Sequence, residues 1–136
     1  MTMMKTRINP PDLFDSRQYG FSQVVVAEGR RTVYCSGQVA WDENEDIGAP
    51  GDLGEQTRRS LENVGRAVAA AGGSLRDVVS LRIYIAGDHI RDTRAVREAL
   101  LATFEADARP ATTWIGVTAL ANPDFVIEIE AIAVLD

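Results

Sequence analysis

Two carboxylates alternate with isoleucine in "VIEIEAIAV", Val126 to Val134, and that spacing is the most chemically suggestive feature of the chain. Residues two apart in a strand share a face, so Glu128 and Glu130 project together, opposite Ile127, Ile129, Ala131 and Ala133. A carboxylate held there can orient or deprotonate a water. It can equally be half of an interface ion pair, the commoner role on pattern alone. Like charges this close raise one pKa unless a cation lies between them, and Arg82, on a neighbouring candidate strand, can supply it. A second stretch, "RPATTWIGV" (Arg109 to Val117), runs from a proline-led turn into a strand. It carries Thr112 and Trp114 where aliphatic residues would be usual. Trp114 either packs or contacts a ligand; as a cleft wall it would favour flat or apolar molecules.

Other chemistries find less support. One cysteine and one histidine exclude a Cys/His zinc centre within one chain. A Ser-His-Asp triad would need His89, which lies in the polar link "AGDHIRD" and reads as a solvated or helix-start residue. Ser36 has no base nearby and reads as a hydrogen-bonding group, with Cys35 pointing into the core on the other side of the strand. Asp42, Asn44 and Asp46 alternate as calcium ligands do. However, the glycine comes one place late, at Gly48, and the twelfth position is Leu53 rather than glutamate, so "DENEDIGAPGD" reads as a solvated acidic loop.

The elements that must position these residues follow from periodicity. Pro10 and Pro11 make "INPPDLF" an extended edge or arm. Val24 to Ala27 and Thr32 to Ser36 flank a glycine-containing turn and predict a β-hairpin. From Asp52 the period changes to that of a helix, with Thr57, Leu61, Val64, Val68 and Ala71 on one stripe and Gly72-Gly73 closing it. "VVSLRIYIA" alternates, Val79, Leu81, Ile83 and Ile85 against Ser80, Arg82 and Tyr84. A second helix, capped near Asp92, carries Val96, Leu100 and Phe104. "TTWIGV" sets Ile115 and Val117 opposite Thr112, Trp114 and Gly116 before the final strand. The order ββαβαββ implies an α+β fold with two helices on one face of a mixed sheet. The other face, expected to carry Trp114, Ile132 and Val134 beside the two glutamates, suits a symmetric oligomer with polar clefts at its seams.

The 136 residues fit a single domain spanning 1–136, and 46% hydrophobic with 25% charged residues is ordinary globular composition. A net charge of −6, with Arg30-Arg31, Arg58-Arg59, Arg91, Arg94 and Arg97 scattered among acids, argues against a nucleic-acid partner. No apolar run approaches the ~20 residues of a spanning helix, and "MTMMKTRINPP" lacks the apolar core of a signal peptide. With the lone Cys35, this predicts a cytoplasmic protein without membrane partners.

This order, with "CSGQVAW" (Cys35 to Trp41), "QTRRSLENVGRAVAAAGGSLRDVVSLRIYI" (Gln56 to Ile85), "RPATT" and "VIEIEAIAV", resembles the Rid family of YjgF-type reactive-intermediate deaminases, also called L-PSP endoribonucleases. The resemblance implies a chorismate-mutase-like α+β fold, assembled as a homotrimer with a small-molecule ligand in each inter-subunit cleft. It also implies hydrolysis of enamine/imine intermediates to a 2-keto acid and ammonia, with no metal and no cofactor. In active members an arginine two residues after the proline of a P-A-R motif pairs with the substrate carboxylate, and the first glutamate of the IEIE pair orients the attacking water. Carried over, that glutamate is Glu128, and the Ser-Gly of the SGQ segment is Ser36-Gly37. Phe21 takes the aromatic position where many members have tyrosine, and Trp114 a cleft position that is frequently small or cysteine. Thr112 stands where the arginine is expected. Charged hydrogen bonds contribute about 1.5–3 kcal/mol, so the loss predicts roughly 10- to 150-fold weaker capture of an α-imino acid. Arg109 could compensate only if the turn undid the strand alternation that separates it from Thr112. The expected activity is therefore an imine/enamine deaminase with an atypical substrate. The alternatives are a non-catalytic small-molecule binder and, disfavoured by acidity, an endoribonuclease or translation inhibitor.

Overall fold

The computed structural model describes residues 4–136; Met1 to Met3, part of the segment read for a leader, lie outside them. The ββαβαββ order is present with one strand added ahead of it. The strands are β1 (Met4–Ile8), β2 (Val24–Glu28), β3 (Arg31–Gln38), β4 (Val78–Ala86), β5 (Ala111–Val117) and β6 (Ile127–Leu135). Helix α1 (Leu53–Ala70) separates β3 from β4, and α2 (Arg94–Thr103) separates β4 from β5.

Four strands form one mixed sheet in the order β3-β6-β4-β5. β6 runs antiparallel to both neighbours, while β4 and β5 are parallel, which their long connection through α2 allows. Both helices lie on one face. Leu61, Val64 and Val68 of α1 and Val96 and Leu100 of α2 are fully buried against Leu81, Ile83 and Ile85 of β4 and Ile127 and Ile129 of β6. The stripe that predicts α1 is thus its core face. Asp52 caps the helix by accepting the Glu55 N–H at 3.0 Å. For α2 the cap position is Thr93; Asp92 instead accepts from the Arg94 backbone and guanidinium. In β4 an irregularity between Val78 and Ser80 breaks the simple alternation, so Val78 rather than Val79 is buried.

The expected β2–β3 hairpin does not form. β2 pairs antiparallel with β1, with Thr6 opposite Val26, in a separate two-stranded ribbon. The Arg30 N–H donates to Leu135 O at 2.9 Å and so extends the β3–β6 ladder instead of closing a turn back onto β2. Gly29 serves a close approach: a Cβ there would stand 2.6 Å from Leu135 O. The ribbon docks at the start of β4, through a largely buried Lys5–Asp77 ion pair of 2.9 Å and an Arg7 guanidinium donating to Arg76 O.

Ahead of β6, Gln56 is a fully buried polar side chain that the stripe analysis did not single out. Its amide donates to Ala49 O (2.9 Å) and Asp124 O (3.0 Å) and accepts from the Val126 N–H (3.0 Å). One side chain thereby fixes the loop before α1 to the residues that lead into Glu128. No helix among the described residues is long and apolar enough to cross a membrane.

Candidate functional site

The residues singled out from sequence fall into two groups, one on each face of the sheet. On the helix side Phe21, Thr112 and Trp114 come together with Phe14, Tyr19 and Thr93 around a cavity of about 320 Å³. The parallel register sets this orientation: Thr112 lies beside Leu81 and Trp114 beside Ile83, both core-facing residues. The expectation that Trp114 shares a face with the glutamates is therefore corrected. Thr113, Ile115 and Val117 take the open face, beside Arg82, Tyr84 and Ala86 of β4.

Short local devices position the aromatic wall. Asp15 caps the 3-10 turn Ser16–Tyr19 by accepting the Arg17 N–H, and Gly20 leaves it with φ +91, a conformation glycine adopts without strain. Gly20 also lets the turn touch α2, since a Cβ there would lie 2.9 Å from Leu100 Cβ. The buried Ser16 hydroxyl donates to Phe21 O at 2.7 Å, and the buried Ser22 hydroxyl donates to Arg109 O at 2.7 Å. These bonds tie Phe21 to the start of β5, where its ring centroid is 6.2 Å from that of Trp114. Phe14 meets Phe21 and Tyr19 edge-on, also at 6.2 Å. The Trp114 indole N–H donates to Thr112 Oγ1 at 3.0 Å, which leaves the threonine hydroxyl hydrogen able to donate in turn. Arg109 does not take up the role considered for it from sequence: it is not among the residues lining the cavity, and its guanidinium donates to Arg17 O at 3.2 Å.

On the open face the half-buried Glu128 projects from β6 opposite Tyr84. The β3–β6 register shifts between Cys35 and Gln38, so Ser36 and Gly37 form an irregular step rather than a regular ladder. The Glu128 carboxylate packs over that step. A methyl group at Gly37 would stand 2.8 Å from both its Cγ and Cδ and closer still to Oε2. Gly37 is thus the notch that admits the acid, and the exposed Ser36 beside it has its carbonyl bonded by the Gln38 side-chain amide. Glu130 lies across from Arg82, the counter-charge expected from sequence, and accepts a hydrogen bond from the Tyr84 hydroxyl. That bond holds the Tyr84 phenol above its usual pKa, with smaller contributions from burial and the Glu130 charge. Ser80, Arg82, Glu130 and Ile132 line a second cavity, of about 310 Å³, with the strongly exposed Tyr34. Burial raises the Cys35 thiol pKa on the core side, so this cysteine is not an activated nucleophile.

The remaining candidates have structural surroundings. Asp42 folds its own loop by accepting the Asn44 and Asp46 N–H groups, and the described residues hold no cluster of His, Cys, Asp or Glu arranged for a metal. His89 lies half-buried in the 3-10 turn Gly87–Arg91 ahead of α2. Phe14, Tyr19 and Thr93 were missed from sequence. The aromatic spacing 14, 19, 21 around Asp15 and Gly20 is the signal that could have found the first two.

A family model described as Endoribonuclease L-PSP matches residues 16–135. A 3-aminoacrylate deaminase RutC of Acinetobacter baylyi is 37% identical over 101 residues, 74% of this chain and 77% of that protein. The 2-iminobutanoate/2-iminopropanoate deaminase of Rattus norvegicus is 35% identical over 114 residues, 84% of this chain and 79% of that protein. Among solved structures, the Rid-family protein YyfB of Yersinia pestis superposes with a TM-score of 0.90 at 37% identity, covering 96% of this chain and 98% of the other.

Proposed function

The chain belongs to the endoribonuclease L-PSP family, and on that premise we propose that it hydrolyses an imine or enamine to a carbonyl compound and ammonia. The observation that carries this reading is the Glu128 carboxylate seated in the Gly37 notch beside Ser36, in a chain whose relatives include proteins named as imine and aminoacrylate deaminases. In the proposed reaction Glu128 orients a water and accepts its proton as the oxygen attacks the imine carbon, and the C=N electrons move to nitrogen. That proton passes to the nitrogen to give the carbinolamine, whose hydroxyl proton is then relayed through Glu128 to the amine as the C=O bond forms, the C–N bond breaks and ammonia leaves.

Glu128 and the Thr112–Trp114 wall lie on opposite sides of one sheet. They can serve one substrate only where copies meet, with the β5 edge of one subunit set against the β3–β6 side of the next. A homotrimer that packs the open faces inward supplies such seams and covers Tyr34 and Ile132. A reducing cytoplasm suits the single buried thiol.

The test is ammonia release from imines generated in situ by an amino-acid oxidase, comparing the wild type with Glu128→Gln. Loss of a general base reduces the rate by about 100-fold or more. An unchanged rate removes Glu128 from the mechanism. The same separation of faces favours a second reading, a non-catalytic small-molecule binder using the aromatic cavity alone, which predicts ligand binding without ammonia release. RNA cleavage is opposed by the net charge of −6.

A further inference from the structure

The helix-side cavity has a composition that specifies its ligand more narrowly than imine chemistry does. Four of its six lining residues are aromatic (Phe14, Tyr19, Phe21 and Trp114) and the other two are Thr93 and Thr112. No charged side chain of the same chain lines it. The arginines nearest these residues along the chain are committed elsewhere: Arg17 pairs with Asp15, Arg91 with Asp88 and Arg94 with Asp92, while Arg109 donates to a backbone carbonyl of the 3-10 turn. A carboxylate placed in this cavity would lose its hydration without gaining a cation, which disfavours it strongly. A flat apolar group would find aromatic partners there, because the rings are set edge-on or tilted to one another rather than stacked shut. The polar anchor is Thr112. Its oxygen is occupied by the Trp114 indole N–H, so the hydroxyl can donate one neutral hydrogen bond. A volume of about 320 Å³ stands at the small end of ligand pockets and suits one ring with a short substituent.

We propose that this cavity selects an uncharged, aryl-bearing imine that lacks a carboxylate, the kind of compound released when an arylalkyl primary amine rather than an amino acid is oxidised. Phe14 and Tyr19 act as specificity residues, and Thr112 is the neutral hydrogen-bond donor that reads the ligand's polar end. The inference rests on the imine-hydrolase reading for its reaction: the imine R–CH=NH and water give the aldehyde R–CHO and ammonia, with no oxidant or reductant consumed. The ligand class rests on the cavity alone.

Two measurements separate those parts. Titration calorimetry with phenylacetamide and phenylacetate compares the same ring with a neutral and an anionic end. The amide is expected to bind at least tenfold more tightly, with Phe14→Ala weakening it about tenfold. Phe14 is 61% exposed, so its truncation leaves the core intact. Thr112→Arg is expected to invert the preference, favouring phenylacetate by roughly 10- to 150-fold over its affinity for the wild type. Equal or tighter binding of phenylacetate by the wild type, or no binding of either probe, overturns the proposal. Alongside, ammonia release is compared for imines generated by a flavin amine oxidase from 2-phenylethylamine and by an amino-acid oxidase from alanine. Faster hydrolysis of the first supports both readings. Faster hydrolysis of the second overturns the ligand class and keeps the hydrolase. Amide binding with no hydrolysis of either keeps the ligand class and overturns the hydrolase.

Discussion

Replacing Gln56 with leucine tests whether one buried amide sets the geometry of the strand that carries Glu128. The side chain is fully buried and makes three hydrogen bonds, two donated and one accepted. Leucine is of comparable volume and makes none. Orphaning the buried Val126 N–H costs about 1–3 kcal/mol, and losing the two donated bonds costs about 0.5–1.5 kcal/mol each. Ala49 O keeps a second partner in the Asp52 N–H at 3.3 Å, which holds its share near the lower bound. The added apolar burial returns about 1 kcal/mol. The net loss is about 1–4 kcal/mol, and at roughly 3–5 °C per kcal/mol for a chain of this size the melting temperature falls by roughly 3–20 °C. Thermal and urea unfolding measure it, with the urea slope unchanged. Gln56→Glu sharpens the test. It keeps an acceptor for Val126 but points a carboxylate at two carbonyl oxygens, so the folded state favours the protonated acid. With its folded pKa raised, that variant is least stable at neutral pH and recovers as pH falls. A melting temperature for Gln56→Leu within about 2 °C of wild type would refute the assignment of the amide as a structural clamp.

Gly37→Ala drives a methyl group into the Glu128 carboxylate, the movable end of a side chain. It is expected to cost under about 1 kcal/mol of stability while cutting ammonia release at least tenfold; the two readouts falling together would instead mark Gly37 as a backbone requirement. Glu55 is held down to about 2, first by hydrogen bonds from Arg58 and then from Arg59. Because its folded pKa is depressed, its contribution is present above about 4.3 and lost as pH falls towards 2, so the stability deficit of Glu55→Gln at neutral pH should vanish by pH about 2 and shrink in about 1 M salt. Tyr84, held up by Glu130, should ionise at lower pH in Glu130→Gln, as followed by ultraviolet absorbance; an unmoved titration would show that the hydrogen bond does not persist in solution.

Much of the fold is readable where periodicity and burial agree. Leu61, Val64 and Val68 repeat at helical spacing because α1 lies across the sheet, and Ile127, Ile129, Ala131 and Ala133 alternate because β6 is a central strand with one face on those helices. The facing of β5 is not readable in the same way. By hydrophobicity alone Ile115 and Val117 look like the core set. Yet β5 is an edge strand whose helix-side face is closed by Phe21, Thr93 and Ile90 rather than by helix aliphatics, so threonine, tryptophan and glycine fill the inward positions. Gly116 shows this directly, since a Cβ there would meet Ile90 Cγ1 at 3.0 Å. The hairpin expectation failed for a related reason. A local glycine signal carries no information about a competing partner, and β1, whose Ile8 pairs with Val24, supplies one. Gln56 sits in the charged run "GEQTRR", and nothing local marks it as buried, because its partners Ala49 O, Asp124 O and the Val126 N–H lie in other segments.

The facing of β5 also constrains what an arginine at position 112 could do. In this register its side chain would enter the aromatic cavity, on the far side of the sheet from Glu128 of the same chain. A carboxylate-reading group and a water-orienting group can therefore cooperate in this fold only through contact between copies, because a side chain cannot cross the backbone layer it stands on. The wall that reads the ligand and the acid proposed to act on it are consequently free to diverge separately. Thr112 and Trp114 are surrounded by ring contacts and the turn ahead of β2, whereas Glu128 depends on Gly37 and on the Gln56 clamp that leads into β6. A change of ligand class from charged to neutral would thus require alterations in the first group alone, leaving Glu128, Gly37 and Gln56 as they stand.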